Sequence, residues 1–149
     1  MAAGGERGDT VLCTLDAGDF VLTMEPVLFL EDAPVNTLLR LRVRSGAFAG
    51  EGRLDVGREA LTQFAAALDR LCRTLGGAAA IEEPYGFHQY VRFTARRGGY
   101  IAVQGCLSQP LPGLPEQELR FAAQFDQTCL RPFVLELQKI IPNASFLIP

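Results

Sequence analysis

From Arg58 to Leu75, the residues Leu61, Phe64, Ala65, Leu68, Leu71, Cys72 and Leu75 recur at offsets of three and four. That spacing gathers them on one side of an α-helix and scatters them on a strand. Each large side chain in the stripe contributes about 1.5–3 kcal/mol if fully buried. The stripe therefore reads as the surface that holds the helix on a sheet, not as a cofactor box. Asp55 is placed to cap the helix start, and Gly76-Gly77 reads as its stop. A second stripe, Leu130, Phe133, Val134, Leu137, Ile140 and Ile141, marks another helix from about Thr128 to Ile141. Pro132 is tolerable there only near the first turn, and Pro142 ends the helix.

The rest of the chain has period two. Leu39, Leu41 and Val43 alternate with Arg40, Arg42 and Arg44. From Phe87 to Arg96, Phe87, Gln89, Val91, Phe93 and Ala95 share one face, and His88, Tyr90, Arg92, Thr94 and Arg96 the other. Arg97-Gly98-Gly99 reads as a hairpin turn, and Tyr100 to Leu107 as its return. Further strands are expected at Thr10–Leu15, Phe20–Leu30, Ala78–Ile81 and Glu118–Phe125, with a turn at Asp16–Asp19. Ser45 to Gly52 reads as a glycine-rich turn or bulge anchored by Phe48. Strands come in runs and helices are few. The expectation is an α+β fold, an antiparallel, meander-like sheet of about six to eight strands with two amphipathic helices on one face. No internal repeat stands out. With 149 residues, the chain is expected to form one domain over 10–149, preceded by a disordered segment over 1–9.

Composition limits the function classes. A net charge of −3 gives no electrostatic case for a polyanionic partner, either nucleic acid or anionic membrane. The Gly-rich start lacks the apolar run of a signal peptide, and no stretch is long enough to span a bilayer, so a cytoplasmic protein is expected. The four cysteines are scattered, without a CxxC clip, and read as free thiols. One histidine, His88, and no GxSxG elbow give no sequence-level nucleophile and base. Glu82-Glu83 lie side by side, so on a strand they face opposite ways. Neither a catalytic residue nor a metal or cofactor site is expected.

Charge placement is the most pointed feature. Asp16, Asp19, Glu25, Glu31 and Asp32 form an acidic stretch with no basic residue among them. The outward positions of later strands carry Arg40, Arg42, Arg44, Tyr90, Arg92 and Arg96, residue types enriched at binding hot spots. Either set could be a partner surface. The plainer alternative is a solvated face whose arginines pair with Glu51, Asp55 and Glu118.

From about Ser45 to Ile141 the chain resembles the WapI family of bacterial immunity proteins. The carrying pieces are Gly46-x-Phe48-x-Gly50, the Leu61–Gly77 stripe, Gly99-x-Ile101-x-Val103-x-Gly105, and Leu119-x-Phe121-x-x-x-Phe125-Asp126-Gln127-Thr128-x-Leu130. The resemblance implies a cytoplasmic, non-catalytic binder that neutralises the C-terminal domain of a contact-delivered polymorphic toxin, often a nuclease. An acidic patch such as Asp16, Asp19, Glu31 and Asp32 suits a basic nuclease site, with the arginine face as its competitor. Asp126, Gln127 and Thr128 are expected to be structural, capping the last helix. The alternative is a small-ligand-binding or enzymatic α+β domain, which requires a pocket of convergent polar groups. A sheet-edge adaptor is a third option. Monomer and weak dimer both remain open.

Overall fold

The alternation of the sequence becomes eight strands in the computed structural model, which describes residues 12–26, 36–84, 88–109 and 112–141. In chain order they are β1 (Cys13–Asp16), β2 (Phe20–Pro26), β3 (Asn36–Ser45), β4 (Phe48–Gly57), helix α1 (Arg58–Thr74), β5 (Ala78–Glu82), β6 (Tyr90–Arg96), β7 (Tyr100–Gln109), β8 (Gln117–Asp126) and helix α2 (Leu130–Ile140). The fold is α+β and antiparallel throughout. Its strands divide into two four-stranded meanders, β1-β2-β3-β4 and β5-β6-β7-β8, rather than one sheet. Each meander is followed by one helix, so the element order ββββα occurs twice. The strands of the two halves nearly match in length, at 4, 7, 10 and 10 residues against 5, 7, 10 and 10, although no matching residue pattern announces the repeat.

The helices are exchanged between the halves. Helix α1 packs on β5 and β6 of the second sheet, α2 packs on β1 of the first, and the two helices touch. Glu136 on α2 accepts a hydrogen bond from the Thr14 N–H at 2.9 Å, which satisfies a donor on the open edge of β1. The inner faces of both sheets and both apolar stripes enter a single core cluster, except that Cys72 only packs against it and Leu75 is exposed. Phe93 on β6 lies between Phe64 of α1 and Phe133 of α2, with ring centroids 6.1 and 6.3 Å away. At the other end, Phe20 of β2 packs on Phe121 and Phe125 of β8.

Several local expectations change. The segment 45–52 is no bulge. Gly46, at φ +62°, makes a tight turn in which Ser45 pairs with Phe48, and β4 then runs on to Gly57. Phe48 is 70% exposed and anchors nothing. The glycines that suggested a loop are there for close approach. A Cβ on Gly50 would lie 2.6 Å from Leu119 Cδ2, and one on Gly52 2.7 Å from Gln89 Oε1. The second sheet thus sits over β4 where β4 has no side chains.

Asp55 does not cap α1, because it is still inside β4. The N-cap position is Gly57, which offers no side chain. Helix α1 ends at Leu75, itself in the left-handed region (φ 54°), whose N–H donates to the Leu71 carbonyl. Gly76-Gly77 follows that stop and does not form it.

Candidate recognition cleft

The sequence-derived candidates fall on the outer faces of two different sheets. On the first, β3 carries Arg40, Arg42 and Arg44, flanked by Glu25 on β2 and Glu51 on β4. Arg40 pairs with Glu25 at 3.3 Å and with Glu51 at 3.4 Å, and Arg42 pairs with Glu51 at 3.3 Å. Asp16 and Arg44 both register with Val21, so the acidic and basic candidates are continuous on this face. Arg44 and Asp19 both lie near the β1–β2 turn, where the Gly18 carbonyl accepts from Arg44 at 3.5 Å. Arg42 and Arg44 also border a shallow groove of ≈ 410 Å³ with Val21, Thr23, Ala49 and Glu51. Glu31 and Asp32 lie outside the described residues. The pairing with Glu25 and Glu51 makes this face a charge-balanced lattice.

Tyr90, Arg92 and Arg96 are on β6, in the second sheet, and not in the sheet that carries the β3 arginines. Arg92 and Arg96 are exposed opposite Gln104 and Tyr100. Tyr90 leads to something the sequence did not show. Across the four strands, Glu82 pairs with Tyr90, Tyr90 with Cys106, and Cys106 with Arg120. These four outward side chains, with His88, Glu116 and Glu118, line a half-open cleft of ≈ 390 Å³. The volume falls in the range of small ligand sites. The floor is Tyr90 and buried Cys106, and the carboxylates stand on an exposed rim.

Glu82 is the last residue of β5, Glu83 follows it, and the two carboxylates diverge. Glu82 joins the cleft rim. Glu83 turns the other way, where its carboxylate accepts from the Asp55 N–H at 3.1 Å and from Gln89 Nε2 at 3.1 Å. The signal that could have located the cleft is register. Once the Gly98–Gly99 turn is fixed, counting back along the hairpin places Tyr90 opposite Cys106. Glu82 and Arg120 require two more pairings that no short motif declares.

The cleft brings the single histidine and a cysteine into one cavity, but the thiol is not poised as a nucleophile. Burial raises the Cys106 pKa first, and a hydrogen bond to Glu118 with the charge of that carboxylate raises it further, against the smaller opposing effect of Arg120. A nucleophilic thiolate needs the reverse environment. Cys13, fully buried and near Glu136, is pushed up to about 12. At pH 8, intact protein treated with iodoacetamide is therefore expected to leave Cys13 unmodified and Cys106 slow. Both should label at free-thiol rates in urea, as peptide mass mapping will read. Rapid labelling of Cys106 in the folded protein would contradict this environment. Among the described residues, no three His, Cys, Asp or Glu side chains are arranged to hold a metal ion.

Asp126, Gln127 and Thr128 form the hinge from β8 into α2. Asp126 Oδ1 accepts from the Thr128 N–H at 2.8 Å and caps the single 3₁₀ turn Gln127–Cys129 that leads into the helix. The Gln127 side chain lies against Gly99 of the β6–β7 turn. These bonds from Thr128 lower the Asp126 pKa. A carboxylate whose folded pKa is depressed contributes stability above its unfolded pKa, near 3.9, and loses it as pH falls through the folded value. Asp126→Asn is therefore expected to lower the melting temperature modestly at pH 7. The difference from wild type should shrink as pH drops below about 4. A difference that is constant from pH 7 to 2.5 would remove the cap from this account. Thr128→Ala keeps the main-chain donor and is expected to cost less.

No family model, curated protein or solved structure matches this chain. The site stands on its own geometry. No helix among the described residues is long and apolar enough to cross a membrane.

Proposed function

We propose that this chain is a non-catalytic, immunity-type protein that binds and neutralises the C-terminal domain of a contact-delivered polymorphic toxin in the cytoplasm of the producing cell. The observation that carries this reading is the arrangement of layers. The core consumes the inner faces of both sheets and both helix stripes. On the outer faces Arg42, Arg44, Arg92, Arg96 and Arg120 are all exposed, although Cys106 and Ser108 on the outer face of the second sheet are buried. Arginine and tyrosine are residue types enriched at binding hot spots, and strands hold their backbones rigidly. The resemblance of the pattern from about Ser45 to Ile141 to the WapI family of immunity proteins names the kind of partner. The acidic residues Asp16 and Asp19 at one turn, and the carboxylate rim of the cleft, suit a basic toxin surface.

The test is coexpression of the chain with cognate toxin C-terminal domains. Protection from growth arrest and copurification of the pair are expected. Failure of both across the candidate toxins removes the reading.

The cleft also favours a second reading, a small-ligand-binding domain, because several polar groups converge on one cavity. Covalent catalysis by Cys106 fits poorly with a thiol held in its neutral form. Saturable binding of a low-molecular-weight compound in the cleft, without toxin protection, would favour this second reading.

A further inference from the structure

We propose that the open edge of β8 is a self-association surface. A second copy of this chain adds its own β8 to it, antiparallel, with Ala123 on the two-fold axis. The second sheets of the two copies then join into one sheet of eight strands. This inference goes beyond the immunity reading and does not rest on it.

The four sheet edges are not treated alike. A strand edge is a row of unpaired N–H and C=O groups, and proteins shorten it, bond it or cover it. The edge strand β1 has four residues, and Glu136 takes up its Thr14 N–H. On β4, Gln89 and Glu83 take up the Arg53 carbonyl and the Asp55 N–H. β5 has five residues, and α1 packs on it. β8 has ten residues and pairs with β7 only. Among the described residues, no side chain bonds to the main chain of β8 between Gln117 and Phe125. Nor does the strand contain a proline or lysine to blunt its edge.

Self-complementarity selects the occupant. With Ala123 opposite its own copy, antiparallel register sets Arg120 opposite Asp126 of the second copy, and Asp126 opposite its Arg120. The same register sets Phe121 beside the second Phe125, and Ala122 beside the second Gln124. The side chain at the axis is small, and no like charges meet. Moving the axis one residue, to Ala122, would set Glu118 opposite Asp126, two carboxylates that repel. Arg120 and Asp126 are both exposed and stand on the outer face. Asp126 caps the turn into α2 with Oδ1, which leaves Oδ2 for the second copy. Arg120 now pairs with exposed Glu118, a surface contact that is cheap to exchange.

The experiment is sedimentation equilibrium of the full chain from about 1 μM to about 1 mM, the span of dissociation constants for a small interface. A rise from one copy to two is expected. Amide exchange between Arg120 and Asp126 should slow over the same range. R120E sets carboxylates against each other at both ends of the contact and should weaken association at least about tenfold. D126K sets a lysine against Arg120 and should do the same, with a lower melting temperature because the cap is lost. The deciding sample is an equal mixture of the two variants, in which every facing pair is again of opposite charge. Recovered association is expected there, and a folding defect in either variant cannot produce it. R120E, at an exposed position, is the variant that decides if D126K does not fold. A wild-type chain that stays at one copy throughout overturns the proposal. Association of R120E at wild-type strength, or no recovery in a mixture of two folded variants, overturns it as well. If the chain alone stays single and a toxin domain slows the same amides, the occupant is a strand of another protein and the second copy is overturned.

Discussion

Gln89→Leu is expected to destabilise the protein by about 3 kcal/mol or more, because it orphans groups on three separate segments at once. Gln89 is 2% exposed, yet its side-chain polar groups are used. Its Nε2 donates to the Arg53 carbonyl of β4 at 2.8 Å and to Glu83 Oε1 at 3.1 Å, and its Oε1 accepts from the Ser108 N–H of β7 at 3.0 Å. The Glu83 N–H returns to the Gln89 carbonyl at 2.9 Å. One amide thus joins the two sheets where no strand pairing does. Leucine fills nearly the same volume, so the cost comes from the unpaired main-chain groups and from the Glu83 carboxylate, not from a cavity. A loss of about 3 kcal/mol should lower the melting temperature by roughly 6–12 °C in a chain of this length. Gln89→Glu is the sharper control. It keeps the acceptor for Ser108 but removes the amide donor and sets a second carboxylate against Glu83, so it should be at least as damaging at neutral pH. Urea melts showing either variant within about 0.5 kcal/mol of wild type would mean that this network does not hold the sheets together.

Gln89 also marks the limit of what a linear reading can reach. Its place on the inward face was legible from alternation with Val91 and Phe93. That face is normally apolar, and nothing local says which carbonyl or N–H a buried glutamine will find. The answer depends on Gly52, whose missing side chain leaves room for Oε1, and on the approach of β7 to β4. The two helices and the Leu39–Val43 and Gly98–Gly99 signals were clear because each is a periodicity or turn rule within a few residues. In the segment 45–52 the turn at Gly46 is as expected, and the bulge and the Phe48 anchor are not, for the complementary reason. Glycine is ambiguous between a turn, which needs positive φ, and a strand approached closely by another layer. Gly46 is the first kind; Gly50 and Gly52 are the second. The same non-locality hid the cleft. Tyr90 stands out in the sequence for its chemistry, but its neighbours Glu82, Cys106 and Arg120 are brought to it by three successive registers. The division of the arginines between two sheets likewise follows from α1, which interrupts the strand order between β4 and β5.

Phe93→Ala should be more damaging still, at about 3–5 kcal/mol, the range for removing a fully enclosed phenylalanine. The Phe93 side chain is completely buried and shares its two ring contacts with Phe64 and Phe133, one from each helix. The helices are exchanged between the halves, so this ring sits where α1, α2 and the second sheet converge. Alanine removes the ring, and strand pairing to Ala79 and Val103 keeps the β6 backbone from collapsing into the void. Phe93→Leu, which refills most of the volume, is expected to recover the larger part of the loss. Double-mutant cycles should report where the ring acts. Phe93→Ala combined with Phe64→Ala, or with Phe133→Ala, should be less than additive by about 0.5–3 kcal/mol, since each pair shares one contact. A partner substitution at Phe20, which packs with Phe121 and Phe125 in a different aromatic group, should add independently. Strict additivity of Phe93 with both helix phenylalanines, measured by urea unfolding, would place the helices off this ring and undo the layered arrangement described above.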